Sequence, residues 1–136
     1  MKSAEEQKPF RILVVEDEEH LGRLYAEELA DEGYAVDLAA TVSEAATCID
    51  AGGVDAVVLD LKLGVEDGAD VLRHIMEQNR ELPVIINTGC GELRSDFRLW
   101  GADSFVVKSS DMGELKQRLA DLRRDRSRNV KGESRK

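Results

Sequence analysis

RILVVED, residues 11–17, is the stretch that decides the fold, because a short strand-like run ends there in two acids, Glu16 and Asp17. The sequence DAVVL, residues 55–59, has the same character and ends in Asp60. In an open parallel sheet, the carboxyl ends of the strands face one crevice, and such sheets bind ligands in that crevice. We therefore expect these three carboxylates to lie close together.

Two later strand-like runs also end in polar groups. VIIN, residues 84–87, is followed by Thr88, and FVV, residues 105–107, is followed by Lys108. If both runs join the same sheet, a hydroxyl and an amine converge with the three carboxylates. That set of groups suits a divalent cation and a phosphoryl group.

Short apolar runs alternate with helical patterns along the rest of the chain, which is typical of βαβ units. The sequence predicts an α/β fold with a doubly wound, five-stranded parallel sheet and five helices. We expect strands near 11–15, 34–38, 54–59, 83–87 and 104–107, and helices near 18–32, 42–51, 68–79, 91–100 and 111–124. We expect a flexible segment over 1–10, one domain over 11–122, and a basic polar tail or linker over 123–136.

Local signals support several of these helices. Leu21, Leu24, Tyr25 and Leu29 are predicted to form one buried stripe. Gly33 suits a left-handed helix end, and residues 41–44 (TVSE) form a capping box.

Composition narrows the function. The chain has 136 residues and a net charge of −9, of which residues 123–136 contribute +5, so the remainder carries −14. Such an acidic body repels phosphate backbones, so direct binding of nucleic acid is not expected. No run approaches the ~20 apolar residues of a membrane span. The polar start and the two cysteines, which lack metal-site spacing, fit a cytoplasmic protein.

The three carboxylates demand a counter-charge. Two unit charges ~4 Å apart repel by about 1 kcal/mol in water and about 4 kcal/mol at an effective dielectric near 20. Mg²⁺ removes this repulsion and prefers oxygen ligands. An aspartate can itself act as the nucleophile and form an acyl phosphate. Asp60 stands alone at its strand end and is the best candidate.

With these motifs in order, the chain resembles a response-regulator receiver domain of two-component signalling, from about Arg11 to Leu122. The resemblance rests on ILVVEDE (12–18), VVLDLKL (57–63) with a following Asp-Gly pair, Thr88, and GADSFVVK (101–108). It implies a flavodoxin-like fold with strand order 2-1-3-4-5. It also implies a signalling module that is no enzyme apart from catalysing its own phosphorylation and dephosphorylation.

The resemblance implies a metal and acceptor site. Asp60 would take a phosphoryl group from a histidine kinase, a phosphotransfer protein or a small phosphodonor. Mg²⁺ would be bound by Asp17, by Glu16 largely through water, by Asp60, and by the backbone carbonyl of Lys62.

The resemblance also implies a switch. Thr88 and Lys108 would bind phosphoryl oxygens. Thr88 would move toward the phosphate and Phe105 would turn inward, which reshapes the face of the fourth helix, fifth strand and fifth helix. That face would then select an unidentified downstream protein, with neither nucleic acid nor membrane as a direct partner.

The sequence departs from the family in its loops. Ser109 follows Lys108 where the family usually has proline, and Gly89-Cys90-Gly91 replaces a less flexible turn after Thr88. These changes leave open an interaction domain that works without phosphorylation. An aspartyl phosphatase is disfavoured because Lys62 occupies the place of its second aspartate. Flavin binding is disfavoured because the loop after the first strand is acidic.

Overall fold

A computed structural model describes residues 8–89, 101–108 and 112–133, with side chains as far as Arg126. The elements follow in chain order as β1 (Arg11–Val15), α1 (Glu19–Asp31), β2 (Ala35–Ala39), α2 (Val42–Ala51), β3 (Ala56–Leu59), β4 (Lys62–Leu63), β5 (Glu66–Asp67), α3 (Ala69–Gln78), β6 (Val84–Thr88), β7 (Ser104–Val107) and α4 (Gly113–Glu133). The predicted helix over 91–100 lies outside the described residues, as do Cys90 and Ser109.

Five strands form one parallel sheet in the order β2-β1-β3-β6-β7. Because β4 and β5 only form a short antiparallel hairpin, this is the order expected from the resemblance. The predicted α/β fold is therefore confirmed. The hairpin was not predicted, since two-residue strands carry no alternating pattern that a sequence could reveal.

The sheet is covered on both faces. One apolar cluster packs α2 and α3 against it, with Leu13, Leu59 and Ile86 at its centre. The other packs α1 and α4 against the opposite face, with Ile12 and Ile85 at its centre. The central strands β1 and β3 are buried on both faces, which explains their continuous apolar runs.

The start of α2 and the end of α1 form where the sequence predicted them. The Thr41 hydroxyl accepts the Glu44 N–H over 3.0 Å, so the predicted capping residue is confirmed. Glu44 reaches back to the N–H of Ala40 rather than to that of the cap itself, over 2.8 Å. Gly33 has φ +96°, the left-handed conformation that ends α1.

Two helix predictions need correction. Leu24 does not belong to the buried stripe of α1, because its exposed fraction is 47%. The buried face runs through Gly22, Tyr25 and Leu29, at spacings of three and four. The last helix continues to Glu133, nine residues beyond its predicted end at 124. Among the described residues, no helix is long and apolar enough to cross a membrane.

Candidate functional site

Three carboxylates meet at the carboxyl-terminal edge of the sheet. Glu16 and Asp17 follow β1, and Asp60 follows the adjacent strand β3. The Asp60 N–H donates to the carbonyl of Val15 over 3.0 Å, so the two strand ends are in register. One oxygen from each carboxylate lies within 4.8 Å of the others. Glu16 and Asp60 are buried, whereas Asp17 is exposed.

Lys108 lies between two of these acids. Its Nζ atom is 2.6 Å from Glu16 Oε1 and 2.9 Å from Asp60 Oδ2. Its backbone N–H donates to the carbonyl of Thr88 over 2.9 Å, which fixes the end of β7 beside the end of β6. The only amine predicted for this site therefore bridges the loops after β1 and β3.

For Glu16 and for Lys108, the effect of burial on the pKa opposes the effect of the hydrogen bonds between them. Burial raises the pKa of Glu16, and the hydrogen bond from Lys108 lowers it. The nearby charge of Asp60 raises it further, so the pKa of Glu16 lies above its ordinary value. Burial lowers the pKa of Lys108, but its hydrogen bonds to Glu16 and Asp60 outweigh this and raise it overall. Lys108 is therefore a permanent cation at neutral pH.

The remaining predicted site residues surround this cluster at different depths. Thr88 is buried at the end of β6, on the same edge of the sheet. Lys62 has an exposed side chain, and its backbone N–H donates to Asp60 Oδ1 over 3.2 Å. Phe105 is half-buried on β7 and packs against the cluster formed with α2 and α3.

Backbone packing holds the acceptor loop close to α3. A Cβ atom at Gly68 would lie 2.3 Å from the backbone oxygen of Asp60 and 2.8 Å from Leu61 Cα. Position 68 therefore accepts no side chain while the loop keeps this conformation. Asp67 supplies the capping oxygen that Gly68 lacks, because its Oδ1 accepts the Ala69 N–H over 2.9 Å.

Sequence reasoning missed two polar residues beside the cluster. Tyr25 is 4% exposed and Asn87 is 2% exposed. Burial raises the pKa of the Tyr25 hydroxyl, and the charges of Lys108, Glu16 and Asp60 act on this group. An asparagine inside an otherwise apolar strand was the available signal for Asn87, whereas Tyr25 reads from sequence as part of an apolar stripe.

The donor set fits a hard divalent cation. Clustered carboxylate oxygens are the ligands that Mg²⁺ prefers, and one or two carboxylates suffice because the ion keeps several waters. A groove of about 530 Å³ lies at the opposite edge of the sheet and is lined by Asp55, Leu82 and Asp103 among others. We place the candidate functional site at the acidic edge, because Glu16, Asp60 and Lys108 do not line this groove.

Several proteins with similar sequences are named as transcriptional regulatory proteins. The chain is 38% identical to the transcriptional regulatory protein TcrA of Mycobacterium tuberculosis over 116 residues, which are 84% of this chain and 46% of that protein. It is 34% identical to PcoR of Escherichia coli over 120 residues, 86% of this chain and 53% of that protein. The chain thus spans about half the length of these curated relatives.

Solved structures give the same result. The response regulator TrrA of Thermotoga maritima, in complex with Mg²⁺-BeF, is similar with a TM-score of 0.79 and 38% identity, over 82% of this chain and 97% of that one. A chain from the structure of the histidine kinase ThkA in complex with TrrA is also similar, with a TM-score of 0.77 and 38% identity. The match covers 82% of this chain and 97% of that one. The sequence model of the response regulator receiver domain matches residues 12–120. This chain therefore belongs to the response regulator receiver domain family of two-component systems.

Proposed function

We propose that this chain is a phospho-accepting receiver, in which Asp60 takes a phosphoryl group from a histidine kinase, a phosphotransfer protein or a small phosphodonor. The observation that carries the proposal is the position of Lys108, whose ammonium contacts both Glu16 and Asp60 at the rim of the acidic cluster. An amine placed there is ready to pair with a phosphoryl oxygen when one arrives.

Asp60 is the proposed nucleophile. One of its carboxylate oxygens forms a bond to phosphorus while the phosphorus–nitrogen bond of a phosphohistidine breaks, and the imidazole leaves with the electron pair and gains a proton from water. The product is an acyl phosphate on Asp60. Attack of water on the same phosphorus returns the carboxylate and inorganic phosphate, which is the proposed self-dephosphorylation.

The surrounding residues orient and neutralise the charge. Lys108 pairs with one phosphoryl oxygen, and the Thr88 hydroxyl donates to another. Glu16 and Asp17, with Asp60 and the carbonyl of Lys62, are the proposed ligands of Mg²⁺, which would neutralise charge on the phosphoryl group. TrrA, the similar regulator in complex with Mg²⁺-BeF, supports this assignment.

The proposed output is a change of surface. Thr88 lies at the end of β6, and Phe105 lies on the neighbouring strand β7, paired with Ile86. Movement of Thr88 toward a phosphoryl oxygen would free space for Phe105 to turn inward, a population shift driven by the new charge contacts. We propose that the surface of β7 and the flanking helices then selects a downstream protein.

The remaining proposals concern setting and partners. The kinase complex of TrrA supports a histidine kinase as the donor. We propose a cytoplasmic setting, a receiver domain over 11–122 with flanking segments 1–10 and 123–136, and control of a protein partner rather than direct binding of nucleic acid.

Intact-protein mass spectrometry tests the proposal. Wild type, Asp60→Asn and Asp31→Asn are incubated with acetyl phosphate and Mg²⁺, and again with EDTA in excess. Asp31 is an exposed aspartate at the end of α1 and serves as the matched control. We expect one phosphate adduct in wild type and Asp31→Asn, which disappears with EDTA and is absent from Asp60→Asn. Absence of an adduct from wild type, while a known receiver is labelled in parallel, would favour an interaction domain that works without phosphorylation.

A further inference from the structure

The β4–β5 hairpin lies beside the cluster of carboxylates. A Cβ atom on Gly64, in the turn of the hairpin, would lie 3.8 Å from Asp17 Oδ2. At the base of the hairpin, the backbone N–H of Lys62 donates to Asp60 Oδ1 over 3.2 Å. The hairpin backbone therefore lies close to two of the three carboxylates, and the carbonyl proposed as a ligand of Mg²⁺ belongs to this backbone.

The hairpin has little packing of its own to fix its position. Each strand has two residues, and an isolated two-stranded hairpin is only marginally stable in water. Leu63 is buried in the apolar cluster with α2 and α3, and Asp67 accepts the Ala69 N–H at the start of α3. Residues 64–66 are exposed, so the position of the turn depends on any contact that these residues make with the rest of the molecule.

Glu66 joins the hairpin to α2. Its Oε1 atom accepts the backbone N–H of Val42 over 3.0 Å, across 24 positions of sequence. Val42 is the first residue of α2, where N–H groups have no partner inside the helix and a carboxylate is favoured by the helix dipole. Local side chains accept two neighbouring N–H groups, since Glu44 accepts that of Ala40 and Thr41 accepts that of Glu44. The Val42 N–H, in contrast, finds its acceptor in the hairpin.

Capping of α2 does not by itself account for this contact. The hydrogen bond lies at the exposed surface, where water also satisfies the N–H groups of a first helical turn. Loss of the Glu66 carboxylate would therefore cost α2 little. It would remove from the hairpin the one contact described here between its exposed residues and another element.

We propose that Glu66 is a positioning residue, whose carboxylate fixes the β4–β5 hairpin to the first turn of α2 and so holds the Lys62 carbonyl at the cation site. This inference rests on the proposed function, since it deepens the assignment of Mg²⁺ to the acidic cluster. In this role Glu66 acts through the hairpin backbone and contacts neither the cation nor the reacting atoms.

NMR of the metal-free protein tests the first step. We compare ¹⁵N relaxation of wild type, Glu66→Ala and Glu66→Gln in EDTA. In Glu66→Ala, the order parameters of the amides of residues 63–66 should fall from about 0.85, typical of a rigid backbone, toward about 0.6. Glu66→Gln removes the charge but keeps an acceptor oxygen, so we expect a rigid hairpin and an unchanged Val42 amide shift. The urea midpoint should change little in either variant.

The same spectra along a MgCl₂ series, at constant ionic strength, give the dissociation constant of Mg²⁺. We expect about a three- to tenfold increase in Glu66→Ala, because residues that orient metal ligands affect affinity without contacting the ion. Glu66→Gln should stay within about twofold of wild type, since the hydrogen bond rather than the charge is proposed to act.

The matched control is Glu77→Ala. Glu77 is an exposed glutamate near the end of α3, so this variant removes the same charge without touching the hairpin. We expect wild-type order parameters and wild-type Mg²⁺ affinity.

Three results would overturn the inference: a rigid hairpin in Glu66→Ala, a loosened hairpin that binds Mg²⁺ as wild type does, or equal weakening of Mg²⁺ binding in Glu66→Ala and Glu66→Gln. The last would mean that Glu66 acts through its charge. If wild type bound no Mg²⁺, the metal assignment of the proposed function would fail instead. The metal-free relaxation data alone would then decide whether Glu66 fixes the hairpin.

Discussion

Burial and the neighbouring Asp60 disfavour the charged form of Glu16. Its side chain is 3% exposed, and burial together with the Asp60 charge raises its pKa above the ordinary value of 4.5 despite the hydrogen bond from Lys108. The folded chain therefore binds this proton more tightly than the unfolded chain does. The resulting cost to stability is fully present above the folded-state pKa and disappears as the pH falls toward 4.5.

Glu16→Gln should therefore stabilise the protein at neutral pH. Lys108 keeps Asp60 as its partner in this variant, so we expect a higher free energy of unfolding than in wild type at pH 7. The gain should shrink as the pH falls through the raised pKa of Glu16. Urea unfolding of both proteins at a series of pH values measures it. Loss of stability at pH 7 would mean that the contact with Lys108 outweighs the cost of burying the Glu16 charge.

The turn from β3 into α3 depends on one glycine. Gly68 approaches the backbone of Asp60 and Leu61 so closely that a Cβ atom there would overlap the Asp60 oxygen, at 2.3 Å. Its φ is −60°, so contact rather than backbone conformation excludes a side chain. Backbone atoms cannot move aside as a flexible side chain could.

Gly68→Ala is therefore expected to displace the acceptor loop. We predict a loss of about 1–3 kcal/mol of unfolding free energy, as for other overpacked sites, together with slower labelling of Asp60. Gly89→Ala is the matched control, because no atom of the described residues lies within 4 Å of its Cβ position. Urea unfolding should show the control within about 1 kcal/mol of wild type. Equal stability of the two variants would contradict the packing argument.

The same elements show what sequence could predict. Strands β1, β3 and β6 were predictable because burial on both faces demands continuous apolar runs. The site followed from these strands, since their ends share one edge of the sheet. The end of α4 was not predictable from polarity. Arg123 lies over the Tyr34 ring at 4.4 Å and Arg126 over Phe10 at 5.4 Å, so charged residues there still make tertiary contacts.

Pairwise tertiary contacts explain the other failures. Tyr25 and Asn87 were assigned from sequence only to a stripe and a strand, because their buried positions near the acidic cluster depend on how α1 packs on the sheet. Leu24 has the spacing of a core residue, yet the direction of α1 over the sheet leaves it 47% exposed. Such contacts depend on how elements pack, which no periodic pattern encodes.

At the scale of the whole molecule, folding assembles the cation site from distant parts of an acidic chain. Glu16 and Asp17 come from one loop and Asp60 from another, more than 40 residues away. The net charge is −9, so folding also concentrates negative charge. A cation that binds only the assembled cluster therefore stabilises the folded state by mass action. The gain is about 2.7 kcal/mol when the free ion is at 100 times its dissociation constant.

We therefore expect Mg²⁺ to raise the thermal midpoint of wild type, measured by circular dichroism along a MgCl₂ series. NaCl at matched ionic strength is the first control, because screening of the net charge stabilises without coordination. Asp17→Asn should lose most of the Mg²⁺-specific gain. Asp31→Asn, which removes an exposed charge from the far end of α1, should keep it. If NaCl reproduced the whole rise, or if the two variants responded alike, the cluster would act only as diffuse negative charge rather than as a coordination site.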